Sequence, residues 1–255
     1  MGNAAPSRCI LSITVNSEKE DKLNNSLKTV AILLAGGSGT RMMSNSPKQS
    51  MLLLGKSVLL RAVEAFDRCE LIDSIVVVLR ESELEFARAE LASISKNVTL
   101  VIGGSCRAES ARSGFLAAEP YADYVAIHDV ARPLVTPTQI SEVVRTAHEF
   151  GAATAVSAVT DTVKEVDDGG FIVGTHSRDR LRKAETPQVF STDIYRKALD
   201  HFSGDLLIVT DDNMLVESSG VLIRGVDIGS GNIKLTVPAD FRYAEFLLLE
   251  AQKNV

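Results

Sequence analysis

The chain has 255 residues, of which 45% are hydrophobic and 24% charged, with a formal net charge of −6. That length suits one large α/β domain or two small ones and is enough to bury a full core. The acidic balance speaks against a general nucleic-acid binder, and no apolar run approaches the ~18 residues of a membrane-spanning helix.

Residues 1–27 carry a short apolar patch between Cys9 and Val15 followed by polar residues. Arg8 and the patch fall short of a signal peptide's basic start, longer apolar core and small-residue cleavage site. The segment therefore reads as a variable or disordered leader, with organellar targeting as an alternative. Cys9, Cys69 and Cys106 are widely spaced and odd in number. They offer neither a disulfide framework nor metal-ligand spacing, which points to a reducing, cytoplasmic setting.

From residue 28 on, strand-like and helix-like segments alternate. Continuous apolar or β-branched runs predict buried strands at 30–34, 74–79, 98–102, 124–128 and 152–156. Helical spacing falls between them at 58–69 (Leu59, Ala62, Val63, Phe66), 81–94, 107–118 and 136–150. This rhythm implies a mostly parallel sheet covered by helices on both faces. It breaks at Val159. Residues 161–166 and 171–175, joined through Asp167-Asp168-Gly169-Gly170, predict a β-hairpin too polar for a core and in need of a cover such as a partner subunit. Helices at 191–201, 211–218 and 238–252 and short strands at 221–226 and 233–236 complete the expectation.

Polar signals gather where the strands end, which is where parallel sheets bind ligands. The first strand runs into Gly36, Gly37 and Gly39, followed by Arg41 and Lys48. Glycines let backbone N–H groups approach a polyphosphate, and the two cations would supply charge. Thr40-Arg41 follows Gly39 where a P-loop needs Lys-Ser/Thr, and Met42 stands where a dinucleotide fingerprint needs its third glycine. Gly103-Gly104-Ser105-Cys106-Arg107 and His128-Asp129-Val130-Ala131-Arg132-Pro133 follow two further strands, so three loops converge on one edge. Asp129 reads equally as a Mg²⁺ ligand completed by phosphates and as a helix cap or ion-pair partner of Arg132. His128 reads as a structural histidine, Lys234 by default as a surface lysine in a short strand, and Thr210-Asp211-Asp212 as an acidic helix start. No Ser/His/Asp order, Cys/His pair or His-Glu-x-x-His is present, which speaks against hydrolytic and zinc chemistry.

With these pieces the chain resembles the 2-C-methyl-D-erythritol 4-phosphate cytidylyltransferases from about residue 28 to 252. The resemblance rests on Leu34-Ala-Gly-Gly-Ser-Gly-Thr-Arg-Met42, Pro47-Lys48-Gln49, Gly103-Gly104 with Arg107-x-x-Ser110, His128 to Pro133, Asp161-Thr162 with Lys164, Thr186-Pro187-Gln188, Thr210-Asp211-Asp212 and Asn232-Ile233-Lys234. It implies an α/β fold: a three-layer, Rossmann-like, mostly parallel sheet with helices on both faces and a protruding β-hairpin arm at about 159–185. Residues 28–255 would form a single nucleotidyltransferase domain.

The activity implied is transfer of CMP from CTP to 2-C-methyl-D-erythritol 4-phosphate, with release of pyrophosphate. A sister activity on another polyol phosphate, such as ribitol 5-phosphate, is the alternative. A non-catalytic nucleotide-binding subunit would not need Arg41, Lys48, Asp129 and Lys234 together. By the resemblance, Arg41, Lys48 and Lys234 are catalytic. Ala35, Gly36, Gly37, Gly39, Gly104, Ser105, Ser110 and Asp129 bind the nucleotide, and Asp129 also holds Mg²⁺. Thr162, Arg178 and Lys234 meet the acceptor, the first two reaching from the arm into the other subunit of a homodimer. The chain departs from the family pattern at Ser50, Val130, Ala108-Glu109, Ser177 and Arg182.

Overall fold

A computed structural model describes residues 13–15, 27–37 and 47–253. Gly39 and Arg41 lie outside them, as does most of the expected leader. In chain order the elements are β1 (Ile13–Val15), β2 (Thr29–Leu34), a two-residue hairpin of β3 (Leu52–Leu53) and β4 (Lys56–Ser57), α1 (Val58–Asp67), β5 (Ser74–Leu79), α2 (Leu84–Glu90) and β6 (Asn97–Ile102). Then come α3 (Arg107–Ala118), β7 (Tyr124–Asp129), α4 (Pro137–Phe150), β8 (Ala152–Ala158), β9 (Lys164–Val166) and β10 (Ile172–Thr175). The chain finishes with β11 (Arg182–Ser191), α5 (Thr192–His201), α6 (Asp212–Glu217), β12 (Arg224–Asp227) and α7 (Pro238–Lys253).

Eight strands form the main sheet in the order β1-β6-β5-β2-β7-β11-β8-β12. Neighbours β6-β5, β5-β2, β2-β7 and β8-β12 run parallel. β11 lies antiparallel to both β7 and β8, and β1 antiparallel to β6. Ile13–Val15, inside the expected leader, thus pair along the sheet's outer strand.

Period-two alternation explains why these strands are apolar without interruption. In β2, Ala31 and Leu33 enter the core on one face while Val30, Ile32 and Leu34 enter the core on the other. Ile75, Val77 and Leu79 of β5 join the first core, and Val76 and Val78 join the second. A strand covered on both faces has no use for a polar residue. α1 supplies Leu59, Ala62, Val63 and Phe66 to the first core, the spacing expected from sequence, and α4 supplies Ile140, Val143, Val144 and Ala147. α4 starts with a capping box, Thr136 accepting from Gln139 N–H while Gln139 Oε1 accepts from Thr136 N–H.

Opposite, α3 brings a face of small residues around Phe115, with Ala108, Ala111 and Ala118. Gly114 lets this helix come close to the sheet: a Cβ there would stand 2.4 Å from Ile32 Cγ2 and 2.7 Å from Val78 Cγ2.

Four expectations are corrected. Residues 81–94 are not one helix; a short 3-10 turn (Glu81–Glu83) precedes α2, which stops at Glu90. The strand expected at 221–226 is instead Arg224–Asp227, at the sheet edge beside β8. Residues 233–236 form no strand. Ile233 and Leu235 alternate like one, but Leu235 is buried and its N–H bonds Ala131 O, so the segment is pinned as a loop. The fourth correction is β11, a ten-residue strand central to the sheet that had no sequence signal. Thr186, Gln188 and Glu185 give it a polar look, and Pro187 sits where its ladder to β8 shifts register.

The hairpin at 161–175 appears as β9 and β10, paired only with each other. Asp167 Oδ1 accepts from Gly169 and Phe171 N–H and closes the turn, where Gly170 has φ +81°. Val166, Phe171, Ile172 and Val173 are exposed in the single chain.

Gly114→Ala is expected to lower the urea-unfolding free energy by about 1–3 kcal/mol, the range for forcing an atom into a packed core. A variant as stable as the parent would show that α3 can back away from β2 and β5.

Candidate active site

The carboxyl ends of β2, β6 and β7 open into one cavity of about 580 Å³. Ala35, Gly36 and Gly37 line it from the first loop, Gly104 to Arg107 and Ser110 from the second, and Asp129, Val130 and Ala131 from the third. The three loops expected to converge therefore do so. Lys48 joins the wall with Nζ donating to Leu235 O at 2.7 Å, and Lys234 completes it. Val130 is buried with its N–H on Leu34 O, so the bulkier residue at this position packs into the core.

A second cavity, about 230 Å³, adjoins the first. Arg107, Asp129 and Lys234 line both, and Arg132, Thr186, Gln188, Thr210 and Asp211 belong to the smaller one. Thr162 and Arg178 line neither. Thr162 is exposed on the arm, and Arg178 Nη1 donates to Thr160 O at 3.1 Å.

Asp129 is the centre of the shared wall. Its Oδ1 accepts from Arg107 Nε at 3.1 Å and its Oδ2 from Lys234 Nζ at 2.6 Å. Arg132 turns instead to Glu185, 3.3 Å away, so of the readings open for Asp129 an ion pair with Arg132 is not the one formed. Burial pushes the Asp129 carboxyl up, but Arg107 and Lys234 outweigh it and hold the group well below the usual carboxylate range. Arg107 in turn donates to Asp212 Oδ2 at 2.7 Å, and Tyr195 OH donates to Asp212 Oδ1 at 2.6 Å. Burial alone would lower the Arg107 pKa; Asp212 and Asp129 raise it instead, so the guanidinium stays charged.

Two supports place Lys234. Arg132 Nη1 donates to Asn232 O at 2.7 Å, while Asn232 Nδ2 donates to Glu185 Oε2 and Thr186 O, each at 2.9 Å. Buried Glu185 also accepts from Ser157 Oγ at 2.6 Å. The loop that carries Lys234 is thus tied to β11 and to the loop after β7, and the lysine is no ordinary surface residue.

His128 is fully buried, as a structural reading requires. Its Nε2 lies 3.1 Å from Arg132 O, which can only accept, so Nε2 carries the proton. Nδ1 then accepts from the Thr186 hydroxyl at 3.0 Å, and that hydroxyl accepts from Asp129 N–H at 3.1 Å. Burial lowers the His128 pKa to about 4, with the Asp129 carboxylate opposing.

The second loop is built by its own side chains. Ser110 Oγ donates to Cys106 O at 2.9 Å and accepts from Gly104 N–H, and Glu109 Oε2 accepts from both Ser105 N–H and Ser105 Oγ. A Cβ at Gly104 would meet Glu109 Cβ at 2.3 Å, so only glycine allows this closure. Asp211 caps α6 through Met214 N–H, as the acidic helix start implied, but buried Asp212 beside it serves the site.

Sequence reasoning missed the roles of Arg107, Glu109, Asp212, Glu185 and Gln188. Arg107 directly after a glycine turn was the one available signal; the others pair across 23 or more positions or read as surface acids. Among the described residues no group of three or more His, Cys, Asp and Glu could hold a metal. The larger cavity is lined by one carboxylate, the ionised Asp129, which fits a divalent cation only as a ligand shared with phosphate oxygens and water.

The profile of the 2-C-methyl-D-erythritol 4-phosphate cytidylyltransferase family matches residues 29–250. The protein of that name from Symbiobacterium thermophilum is 38% identical over 223 residues, covering 88% of this chain and 94% of the relative. Its namesake from Syntrophus aciditrophicus is 38% identical over 231 residues, covering 89% and 99%. The crystal structure of 4-diphosphocytidyl-2C-methyl-D-erythritol synthase from Anaerococcus prevotii superposes with a TM-score of 0.79 at 26% identity, covering 88% of this chain and 96% of that one.

Because the folded His128 pKa lies below the unfolded value of ~6.5, the unfolded chain binds more protons between those two values. This residue's contribution to stability is intact above about pH 6.5 and declines as the pH falls toward about 4. The His128 NMR signals are expected to show no titration above pH 5; a midpoint near 6.5 would refute the buried neutral imidazole.

Proposed function

The chain belongs to the 2-C-methyl-D-erythritol 4-phosphate cytidylyltransferase family, and from that membership we infer that it transfers CMP from CTP to 2-C-methyl-D-erythritol 4-phosphate. The products are 4-diphosphocytidyl-2-C-methyl-D-erythritol and pyrophosphate, in the non-mevalonate route to isoprenoid precursors. Residues 28–255 act as one nucleotidyltransferase domain.

One observation carries the site assignment: Arg107, Asp129 and Lys234 form a wall common to a larger and a smaller cavity. The nucleotide occupies the larger cavity, with its triphosphate on the glycine loop of Ala35, Gly36, Gly37 and Gly39 and its base and ribose against Gly104, Ser105 and the turn that Ser110 braces. The acceptor phosphate enters the smaller one. An acceptor oxygen attacks the α-phosphorus, a P–O bond forms, and the bond from the α-phosphorus to the bridging oxygen of pyrophosphate breaks. The attacking phosphate is already an anion, so the demand is electrostatic rather than acid–base. Lys48, Arg41 and Lys234 draw the anions together and meet the charge that develops. Asp129 keeps Lys234 aimed between the two cavities, which makes Lys234 a contact for both substrates. When bound, Mg²⁺ would neutralise the triphosphate and polarise its oxygens, and Asp129 is the residue that would hold it together with phosphate oxygens.

The arm makes the homodimer. Its exposed Val166, Phe171, Ile172 and Val173 need a cover, and neither Thr162 nor Arg178 lines either of the two cavities of its own chain. In a dimer both serve the acceptor in the neighbouring subunit. The free thiols of Cys69 and Cys106 suit a cytoplasmic setting. No helix among the described residues is long and apolar enough to cross a membrane.

A coupled pyrophosphate assay with CTP, Mg²⁺ and 2-C-methyl-D-erythritol 4-phosphate should show turnover. Substantially faster turnover with ribitol 5-phosphate would move the assignment to that acceptor. Lys48→Ala should lower kcat by at least about 10²-fold, the scale of losing one transition-state donor. Mixing Lys48→Ala with Arg178→Ala protein should restore activity, because heterodimers then carry one intact composite site; no recovery on mixing would rule out the shared site.

A further inference from the structure

A second cation stands at the glycine loop outside the groups used above. Arg80 follows β5 and lines the larger cavity. Its Nε donates to Gly36 O at 3.2 Å, so the side chain is tied to the loop that cradles the triphosphate. The ion pairs of the described residues do not include Arg80. With Nε engaged, its two terminal nitrogens remain as a planar fork that matches phosphate oxygens.

The backbone beneath Arg80 is held by a carboxylate with a second task. Glu83 Oε2 accepts from Arg80 N–H at 3.3 Å, and Glu83 N–H donates to Arg80 O at 3.0 Å. Glu83 Oε1 accepts from Gln49 Nε2. Glu83 is 5% exposed and Gln49 4%, so this contact is shielded from water. Gln49 is the residue after Lys48, on the short 3-10 turn Lys48–Ser50. One buried side chain thus joins the turn carrying Lys48 to the turn carrying Arg80, on the two sides of the same cavity.

We propose that Arg80 is a further nucleotide-binding residue that contacts the polyphosphate, and that Glu83 is the positioning residue that holds Arg80 and Lys48 at a fixed separation across the glycine loop. This rests on the nucleotidyl-transfer reading above. A guanidinium already ordered on Gly36 loses less freedom when the nucleotide arrives than a solvated one would. Its contribution falls on binding, and that of Lys48 on the transition state.

Steady-state kinetics and direct CTP binding test both parts. Arg80→Gln should raise the KM and Kd for CTP about tenfold, as for loss of one charge-assisted phosphate contact, with kcat within about twofold and the acceptor KM unchanged. Glu83→Gln sets an amide donor against one of two donors, Arg80 N–H or the Gln49 amide. It should raise the CTP KM and lower kcat about tenfold, because both cations lose their place. The swap Gln49→Glu with Glu83→Gln restores donor–acceptor matching and should recover both constants to within about threefold. Unchanged CTP affinity in Arg80→Gln overturns the nucleotide contact. A folded swap variant, with parental Tm, that stays as impaired as Glu83→Gln overturns the positioning role. Failure of the parent protein itself to bind or turn over CTP would instead overturn the reading on which both rest.

Discussion

A buried carboxylate between two cations organises this molecule's functional end. Asp129 is the last residue of β7, still in register with Leu34 of β2, and it is open to two cavities. Left alone there its burial would favour the protonated form. Arg107 from α3 and Lys234 from the loop after β12 keep it ionised, and each is held in turn, Arg107 by Asp212 and Lys234 through the Asn232–Glu185 contacts. Asp129 has two cations and Arg107 two carboxylates, so losing any one of these groups leaves a buried charge only partly compensated. The arrangement is therefore a structural commitment as well as a chemical one. It draws α3, β7, β11, α6 and the 231–236 loop to a single point.

The fold makes that convergence possible by sheet order. β2 lies between β5 and β7, with β6 beyond β5, all parallel, so their carboxyl ends open on one side. α3 can bring Arg107 to Asp129 because Gly114 and a row of alanines seat the helix close against β2 and β5. The antiparallel β11 then places Thr186 and Gln188 beside β7. Thr186 joins the His128 imidazole to the Asp129 backbone, and Gln188 Oε1 accepts from Asp212 N–H. A polar strand in the middle of an otherwise apolar sheet is tolerated because each of these buried groups has a partner.

Much of this was legible in the residues. Uninterrupted β-branched runs and i, i+3, i+4, i+7 spacing marked β2, β5, α1 and α4, since burial on two faces or on one stripe leaves a local pattern. Gly36, Gly37 and Gly104 marked the loops that line the larger cavity, and the resemblance of eight ordered motifs carried the family. β11 was not legible: its ladder partners lie 24 or more positions away, and Glu185, Thr186 and Gln188 meet Ser157, Asp129 and Asp212 only once the chain is folded. Residues 233–236 misled because alternation records which side chains are buried and not whether a partner strand exists.

By itself, then, the sequence determined the α/β alternation, the loops at which chemistry gathers, and the exposed arm, because each depends on neighbours within one or two turns of chain. Only the tertiary structure decided what Asp129 pairs with, that Lys234 is held rather than solvated, that His128 is a neutral brace, and that Glu83 joins Gln49 to Arg80. The pairings of Asp129 with Arg107 and Lys234, and of Gln49 with Glu83, join residues 22 to 105 positions apart, and the state of His128 turns on the desolvation of a single side chain. No periodicity encodes them; they exist once the sheet has brought the ends of its strands together.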